Sequence, residues 1–200
     1  MPDTGAPWNI PYVASTDLVS DWPADSLALA NAIDAGLDAA DNAGIGSNVV
    51  SVTKTDTFTT SASSYTSVTG LSASITPTSA SSKVLVLYRV MASAEDGQAN
   101  ERSFVTVFRG ATNLVDAASP SNRTPALTSV EMKGITGGTR IAFTYGGVFL
   151  DSPATTSSTT YEVQVFTDGN GIHINRSRND TDDAEHIRGT SEIVLIEVAA

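Results

Sequence analysis

Two histidines and a run of carboxylates near the end of the chain are the residues best suited to chemistry. His186 follows directly after the segment RNDTDDAE. That segment contains the acidic residues Asp180, Asp182, Asp183 and Glu185. Carboxylates beside a histidine have the composition of a metal site or of an acid/base pair. His173 follows a predicted turn in a short strand, where an outward polar side chain is ordinary, so we expect it to be inert.

The spacing of these carboxylates does not match a calcium-binding loop. An EF-hand loop needs a central glycine and a closing glutamate, and neither is in place here. Ca²⁺ binding by Asp180, Asp182 and Asp183 is therefore a weaker interpretation than a solvated acidic loop. The loop is bracketed by the basic residues Arg176, Arg178 and Arg188. We expect these arginines to neutralise it in a surface ion-pair network, without a metal ion or a cofactor.

No sequence signature of a catalytic site accompanies these residues. The chain contains no H-E-x-x-H, no G-x-S-x-G, no P-loop and no dinucleotide fingerprint. It also has no cysteine, which excludes thiol catalysis, disulfide bonds and cysteine-ligated zinc. We therefore expect a protein that is not an enzyme.

The charge of the chain bears on its partners. The formal net charge is −11, and the eleven Lys and Arg residues are scattered along the sequence. Binding to phosphate backbones relies on clustered basic residues, so a nucleic-acid partner is not expected. No run of apolar residues is long enough to span a membrane, and the first residues lack the basic and apolar regions of a secretory signal. We therefore expect a soluble protein without a membrane partner.

A single helix is predicted over residues 21–43. Asp21 can cap its N-terminus, Pro23 suits its first turn, and glycines follow its end. Its large apolar residues form one narrow stripe: Leu29, Ile33 and Leu37. Such a helix is marginal alone in water. It therefore either packs on the rest of the chain or associates with copies of itself through this stripe.

The remainder of the chain, residues 47–200, is predicted to be an antiparallel β-sandwich of jelly-roll type. Segments rich in Val, Ile, Thr, Tyr and Phe alternate with turn residues, and no crossover helix separates them. The predicted strands are Val49–Thr60, Tyr65–Thr76, Lys83–Ser93, Arg102–Arg109, Ala126–Ile135, Arg140–Leu150, Thr159–Phe166, Gly171–Asn175 and Glu192–Val198. The fold class is thus mainly β, with one short helix before the sandwich.

Two of these segments, KVLVLYRVM and EIVLIEV, are apolar on both alternating faces. A strand of a two-layer sandwich buries only one face, so these strands are either central or covered on the outer face by another subunit. We expect a homotrimer, with its axis along the helix and this sheet.

The first 20 residues, rich in Pro, Gly and Thr, are predicted to form an extended arm. Four large apolar side chains lie in or just after it: Trp8, Ile10, Tyr12 and Trp22. Rigid aromatic residues are typical anchors of protein interfaces, and proline lowers the entropy lost on docking. We interpret the four as anchors for a partner protein. The alternative is that the tryptophans cover an open end of the chain's own sandwich.

The segment PWNIPYVASTDLVSDWPADSLALANAIDAGLD resembles the N-terminal part of minor tail and fibre proteins of tailed bacteriophages. SVTKTDTFTTSASSYTSVTGLSASITPTSASSKVLVLYRV, SPATTSSTTYEVQVF and GTSEIVLIEVAA resemble a β-domain of phage virion proteins. The resemblance implies a trimeric virion component that is assembled in the bacterial cytoplasm. Its N-terminal part would attach to the particle, and its β-domain would point outward for host attachment.

Two alternatives remain beside a tail location. A capsid decoration protein or head fibre needs the same anchor and the same displayed domain. A carbohydrate-binding module would use exposed aromatics, for which Tyr145, Phe149 and Tyr161 are the candidates, to bind a host-surface glycan. Alternation places at least some of these three rings in the core.

Overall fold

The computed structural model describes residues 22–42, 48–95, 102–115, 122–130, 140–168 and 171–199. These residues form one helix and eleven strands, so the chain is mainly β. The helix α1 spans Trp22–Asn42. The strands are β1 (Val49–Lys54), β2 (Phe58–Thr60), β3 (Thr66–Ile75), β4 (Lys83–Ala94), β5 (Ser103–Arg109), β6 (Thr112–Asn113), β7 (Thr128–Val130), β8 (Phe143–Asp151), β9 (Thr159–Thr167), β10 (Ile172–Ile174) and β11 (Ser191–Val198).

The strands form two antiparallel sheets. The first sheet has the order β1-β11-β4-β10-β2, with β8 on the other edge of β4. The second sheet has the order β3-β9-β5-β6, with β7 beside β5. The predicted mainly β, antiparallel fold with one short helix before it is confirmed, whereas the jelly-roll topology stays a prediction.

The long strand β4 organises the first sheet. β8 pairs with it from Val84 to Ala92 along one edge. Along the other edge, β11 pairs with its first half and β10 with its last three residues. Two consecutive short strands therefore lie end to end beside one long strand.

The core lies between the two sheets and is almost entirely aliphatic. Side chains alternate in and out along each strand, and the inward set of the first sheet meets that of the second. The fully buried members include Leu71, Val84, Val86, Val90, Val105, Val107, Val163, Val165, Ile193 and Leu195. Their burial supplies the main driving force for folding.

The predicted strand Val49–Thr60 is divided into β1 and β2 because its two halves pair with different strands. β1 pairs with β11, and β2 pairs with β10. Between them the chain turns at residues 55–57, where the Asn175 carboxamide donates hydrogen bonds to the carbonyl oxygens of Lys54 and Asp56, both 2.9 Å long. The break in the strand is thus fixed by a residue over a hundred positions away.

Asn175 is completely buried and has a positive φ of 64°. Asparagine tolerates this left-handed conformation better than most residues. Its side-chain oxygen accepts a hydrogen bond from Ser191 Oγ, 2.6 Å away. Its backbone N–H donates a hydrogen bond to the Met91 carbonyl. Asn175 therefore connects β1, β4, β10 and β11 at one point.

Glu197 connects the start of β1 to the turn before β4. Its buried carboxylate accepts hydrogen bonds from the Thr78 amide at 2.8 Å, from Thr78 Oγ1 at 2.7 Å and from Asn48 Nδ2 at 3.0 Å. Burial alone would raise the pKa of Glu197, but these hydrogen bonds outweigh it and lower the pKa to about 2. The group therefore remains ionised inside the protein.

Two other strand predictions differ from the structure at their ends. The predicted strand Ala126–Ile135 is β7, and residues 131–139 lie outside the described residues. The strand predicted from Arg140 begins as β8 at Phe143. Strand ends depend on pairing partners, which periodicity alone does not specify.

We predict that Asn175→Gly lowers the free energy of unfolding by about 3 kcal/mol, because it leaves buried hydrogen-bonding groups without a partner. Glycine keeps the positive φ accessible, so the loss reports the hydrogen bonds rather than backbone strain. Urea unfolding measures the change. Asn179→Gly, at an exposed position of the following loop, is the control and should cost less than about 1 kcal/mol. Equal losses in the two variants would contradict the role of Asn175.

We predict that Glu197→Gln weakens the acid sensitivity of the protein. The folded pKa of about 2 lies below the ordinary value of 4.5, so the stabilisation is complete above that value and is lost as the pH falls toward 2. Urea unfolding at several pH values across this range should show that the free energy of unfolding falls less steeply with decreasing pH in the variant. Glu192→Gln, on the same strand but the opposite face, is the control and should keep the original slope.

Candidate assembly interface

The outer face of the first sheet carries a contiguous group of aliphatic side chains. It arises because β4 and β11 alternate apolar residues on both faces, and because β1 and β8 add apolar residues beside them. We call this group the aliphatic strip. Its members are Val49, Leu85, Leu87, Val148, Leu150, Val194 and Ile196.

The register of the strands arranges the strip in two rows across the sheet. The first row contains one residue from each strand in the order Val49, Ile196, Leu85, Leu150. The second row contains Ser51, Val194, Leu87 and Val148 in the same strand order. Neighbouring strands are about 4.8 Å apart, so the strip is about 14 Å long across four strands.

The described residues leave the strip uncovered. Val148 is 63% exposed, Val49 is 51% exposed and Leu150 is 48% exposed. The residues on β4 and β11 are half-buried because strands flank them on both sides. Contiguous apolar surface of this kind marks an interaction site in a soluble protein.

The other end of the same outer face is covered by the chain itself. Met91 and Ser93 point outward from β4, yet both are buried beneath residues 175–190. Ser93 Oγ donates a 3.0 Å hydrogen bond to the Arg176 carbonyl, and a Cβ at Gly189 would overlap Met91 Sδ. The strip is therefore the part of the outer face that this loop does not reach.

Polar residues border the strip on both sides. Lys83 is exposed at one side, beside Val198 of β11. Arg89 and Glu192 lie opposite each other at the other side, where Arg89 donates a hydrogen bond to Thr190 Oγ1 at 3.1 Å. The strip is thus an apolar band with a basic residue at each border.

The edge strand β8 lies unusually close to its neighbour. A Cβ at Gly146 would be 2.8 Å from the Tyr88 carbonyl oxygen, and one at Gly147 would be 3.0 Å from the Tyr88 ring. Gly147 therefore leaves room for the Tyr88 ring on the inner face, and Gly146 leaves room for the backbone of β4. Among the described residues β8 pairs with β4 alone, and its sequence contains no Lys or Pro to discourage further pairing.

The apolar stripe of α1 is also uncovered. Ile33 is 47% exposed and Leu37 is 60% exposed, while Leu29 is half-buried. Leu27, outside the predicted stripe, is exposed as well. The structure therefore does not place the stripe on either sheet, and its association with a copy of the chain stays a prediction.

Three of the four predicted anchor residues fall outside the part of the chain that the structure describes. Trp8, Ile10 and Tyr12 lie outside the described residues. Trp22 is the first residue of α1, and only its backbone is described. The anchoring role of these four residues stays a prediction.

The acidic loop is a network of ion pairs, as predicted. Asp180 pairs with Arg188, Asp183 Oδ1 lies 2.5 Å from His186 Nδ1, and Glu185 lies 2.6 Å from Arg140. Hydrogen bonds from Arg188 and His186 lower the pKa values of Asp180 and Asp183 respectively. Asp182 is exposed. Within the described residues, no group of three or more His, Cys, Asp or Glu side chains is placed to bind a metal ion.

Two of the three bracketing arginines also contact residues outside this loop. Arg178 Nε lies 2.6 Å from Glu95 Oε2, and Arg176 donates a 2.7 Å hydrogen bond to His173 Nδ1. Arg188 pairs with a carboxylate of the loop as predicted. Arg176 also donates to the Arg178 carbonyl within the loop, and its charge helps to lower the pKa of Asp180.

His173 lies on the outer face of the first sheet, as expected, but it is not a surface residue. It is buried, because β10 lies between β2 and β4 and the following loop covers this part of the sheet. Burial lowers the pKa of His173, with the Arg176 charge acting in the same direction. The neutral ring then accepts from Arg176 at Nδ1 and donates to Glu95 Oε1 from Nε2, at 3.0 Å.

Of the aromatic residues considered for glycan binding, one is completely buried and two are half-buried. Tyr161 is completely buried, and its hydroxyl group donates to Asp151 Oδ2 at 2.7 Å. Arg109 pairs with the same carboxylate. Tyr145 and Phe149 pack against the core from β8. Their ring faces are therefore used for packing.

No helix among the described residues has the length and apolarity needed to cross a membrane. No protein-family model matches the sequence, and no curated protein matches it significantly. The proposed function therefore rests on the uncovered aliphatic strip.

Proposed function

We propose that this chain is a non-enzymatic structural protein of a tailed-phage virion. It forms a homotrimer, attaches to another virion protein through its N-terminal arm and displays its β-domain. The observation that carries the proposal is the aliphatic strip, because a sheet with seven aliphatic side chains on its outer face requires a further layer.

Copies of the same chain are the simplest source of that layer. Symmetric homo-oligomers are the commonest assemblies of soluble proteins, and a three-fold ring closes when one surface of each chain contacts a different surface of the next. Burying a large aliphatic side chain contributes about 1.5 to 3 kcal/mol. The strip itself contains no acidic residue, so contact there brings few of the chain's negative charges together.

The virion assignment is supported by the resemblance of the N-terminal segment and of several β-segments to phage tail proteins. The resemblance favours the tail over the capsid, where a decoration protein or head fibre would use the same two parts. Assembly takes place in the bacterial cytoplasm. The two described sheets enclose a core of their own, which is consistent with a separate attachment role for the arm.

We predict that light scattering at micromolar concentration gives three times the 20.7 kDa mass of the chain. Val148→Asp should abolish the trimer, because association would bury an unpaired carboxylate. The variant should still unfold cooperatively, since Val148 is exposed in the single chain, but at a lower temperature than the wild type, because association stabilises the folded state.

Thr69→Asp is the matched control, because Thr69 is exposed on the second sheet. This control should remain trimeric. A monomeric wild-type protein, or a trimer that persists in Val148→Asp, would contradict the proposed assembly.

We also predict that deleting residues 1–21 leaves the two sheets folded, because their first strand begins at Val49. Trp8→Ala should weaken attachment to particles by about 2 kcal/mol, roughly thirtyfold in affinity, if the ring is buried in a partner. Thermal melting of the isolated variant should be unchanged. A fall of about 3 kcal/mol in unfolding free energy, with normal incorporation into particles, would show instead that Trp8 packs on its own sandwich.

A further inference from the structure

We infer that helix α1 of a neighbouring copy covers the aliphatic strip, so that the copies are joined by exchanged helices. The inference rests on the proposed homotrimer and names the segment that supplies the missing layer. Two apolar surfaces are exposed in the single chain: the stripe on α1 and the strip on the first sheet.

The two surfaces have matching dimensions. The stripe runs from Leu29 to Leu37, which is about 12 Å along a helix. The strip crosses four strands and is about 14 Å long. A single helix lying across the sheet would therefore place its large side chains over both rows.

A bundle of α1 helices is a poorer solution for the same stripe. At coiled-coil spacing the seam would consist of Ala30, Ile33, Leu37 and Ala40, of which only two are large. Every charged residue in α1 is an aspartate. Bundled copies would thus bring like charges together around a weak apolar seam, with no basic residue on the helix to balance them.

The borders of the strip carry the complementary charge. Lys83 is exposed on one side, and on the other the exposed Arg89 lies opposite the half-buried Glu192, so the two borders together carry a net positive charge. Asp34 is exposed beside the stripe on α1. A helix placed between Lys83 and Arg89 therefore meets basic residues where it carries acidic ones.

In the single chain the stripe of α1 does not lie over the strip, because Ile33, Leu37 and Val148 are all exposed. The helix that covers the strip therefore comes from another copy.

Because the chain contains no cysteine, two introduced cysteines can test this arrangement directly. Purified full-length Ile33→Cys/Val148→Cys should form disulfide-linked dimers and trimers under mild oxidation. The products should disappear on reduction, and peptide mass spectrometry should join residue 33 to residue 148. Ile33→Cys/Thr69→Cys is the matched control, which should yield several-fold less covalent product.

Each other result overturns the inference. A disulfide within one chain shows that α1 covers its own strip. Equal covalent product from Ile33→Cys alone shows that the helices bundle. Trimeric mass in light scattering without a link between residues 33 and 148 shows that another surface covers the strip and leaves the proposed trimer intact. Monomeric mass overturns the proposed trimer itself, and the exchange of helices with it.

Discussion

The structure depends on a strand that must be covered on both faces. β4 carries valines and other apolar residues inward and Leu85, Leu87 and Met91 outward. Its inner face is buried by the second sheet. Among the described residues no second sheet lies on its outer face, and residues 175–190 cover the half near Met91. The uncovered half is the aliphatic strip, and both the proposed trimer and the proposed helix exchange follow from it.

The loop that covers part of the outer face is held by polar contacts rather than by apolar packing. Asn175 fixes its beginning through buried hydrogen bonds to β1 and β11, and Ser93 bonds to its backbone. The remaining polar groups are arranged as exposed ion pairs, each worth little alone. The loop can therefore be acidic and still lie against a sheet, because its attachment does not rely on the carboxylates.

The charge of the chain limits how copies can meet. A net charge of −11 disfavours contact between most surfaces of two copies. The strip is apolar, with Lys83 and Arg89 at its borders, whereas α1 carries only aspartates among its charged residues. Contact between the helix and the strip is therefore the arrangement that buries apolar area and reduces repulsion together.

The sequence by itself determined the helix, the mainly β fold and most strand positions, because these follow from local periodicity and turn residues. It also determined that β4 and β11 are apolar on both faces. Only the tertiary structure decided that β1 and β2 are separate strands, that His173 is buried, and that Arg176 and Arg178 contact His173 and Glu95. It also decided that seven aliphatic residues from four strands form one surface. Each of these features depends on which distant segments lie side by side. Contacts between residues far apart in the chain set the register of strand pairing. Local sequence patterns do not encode those contacts.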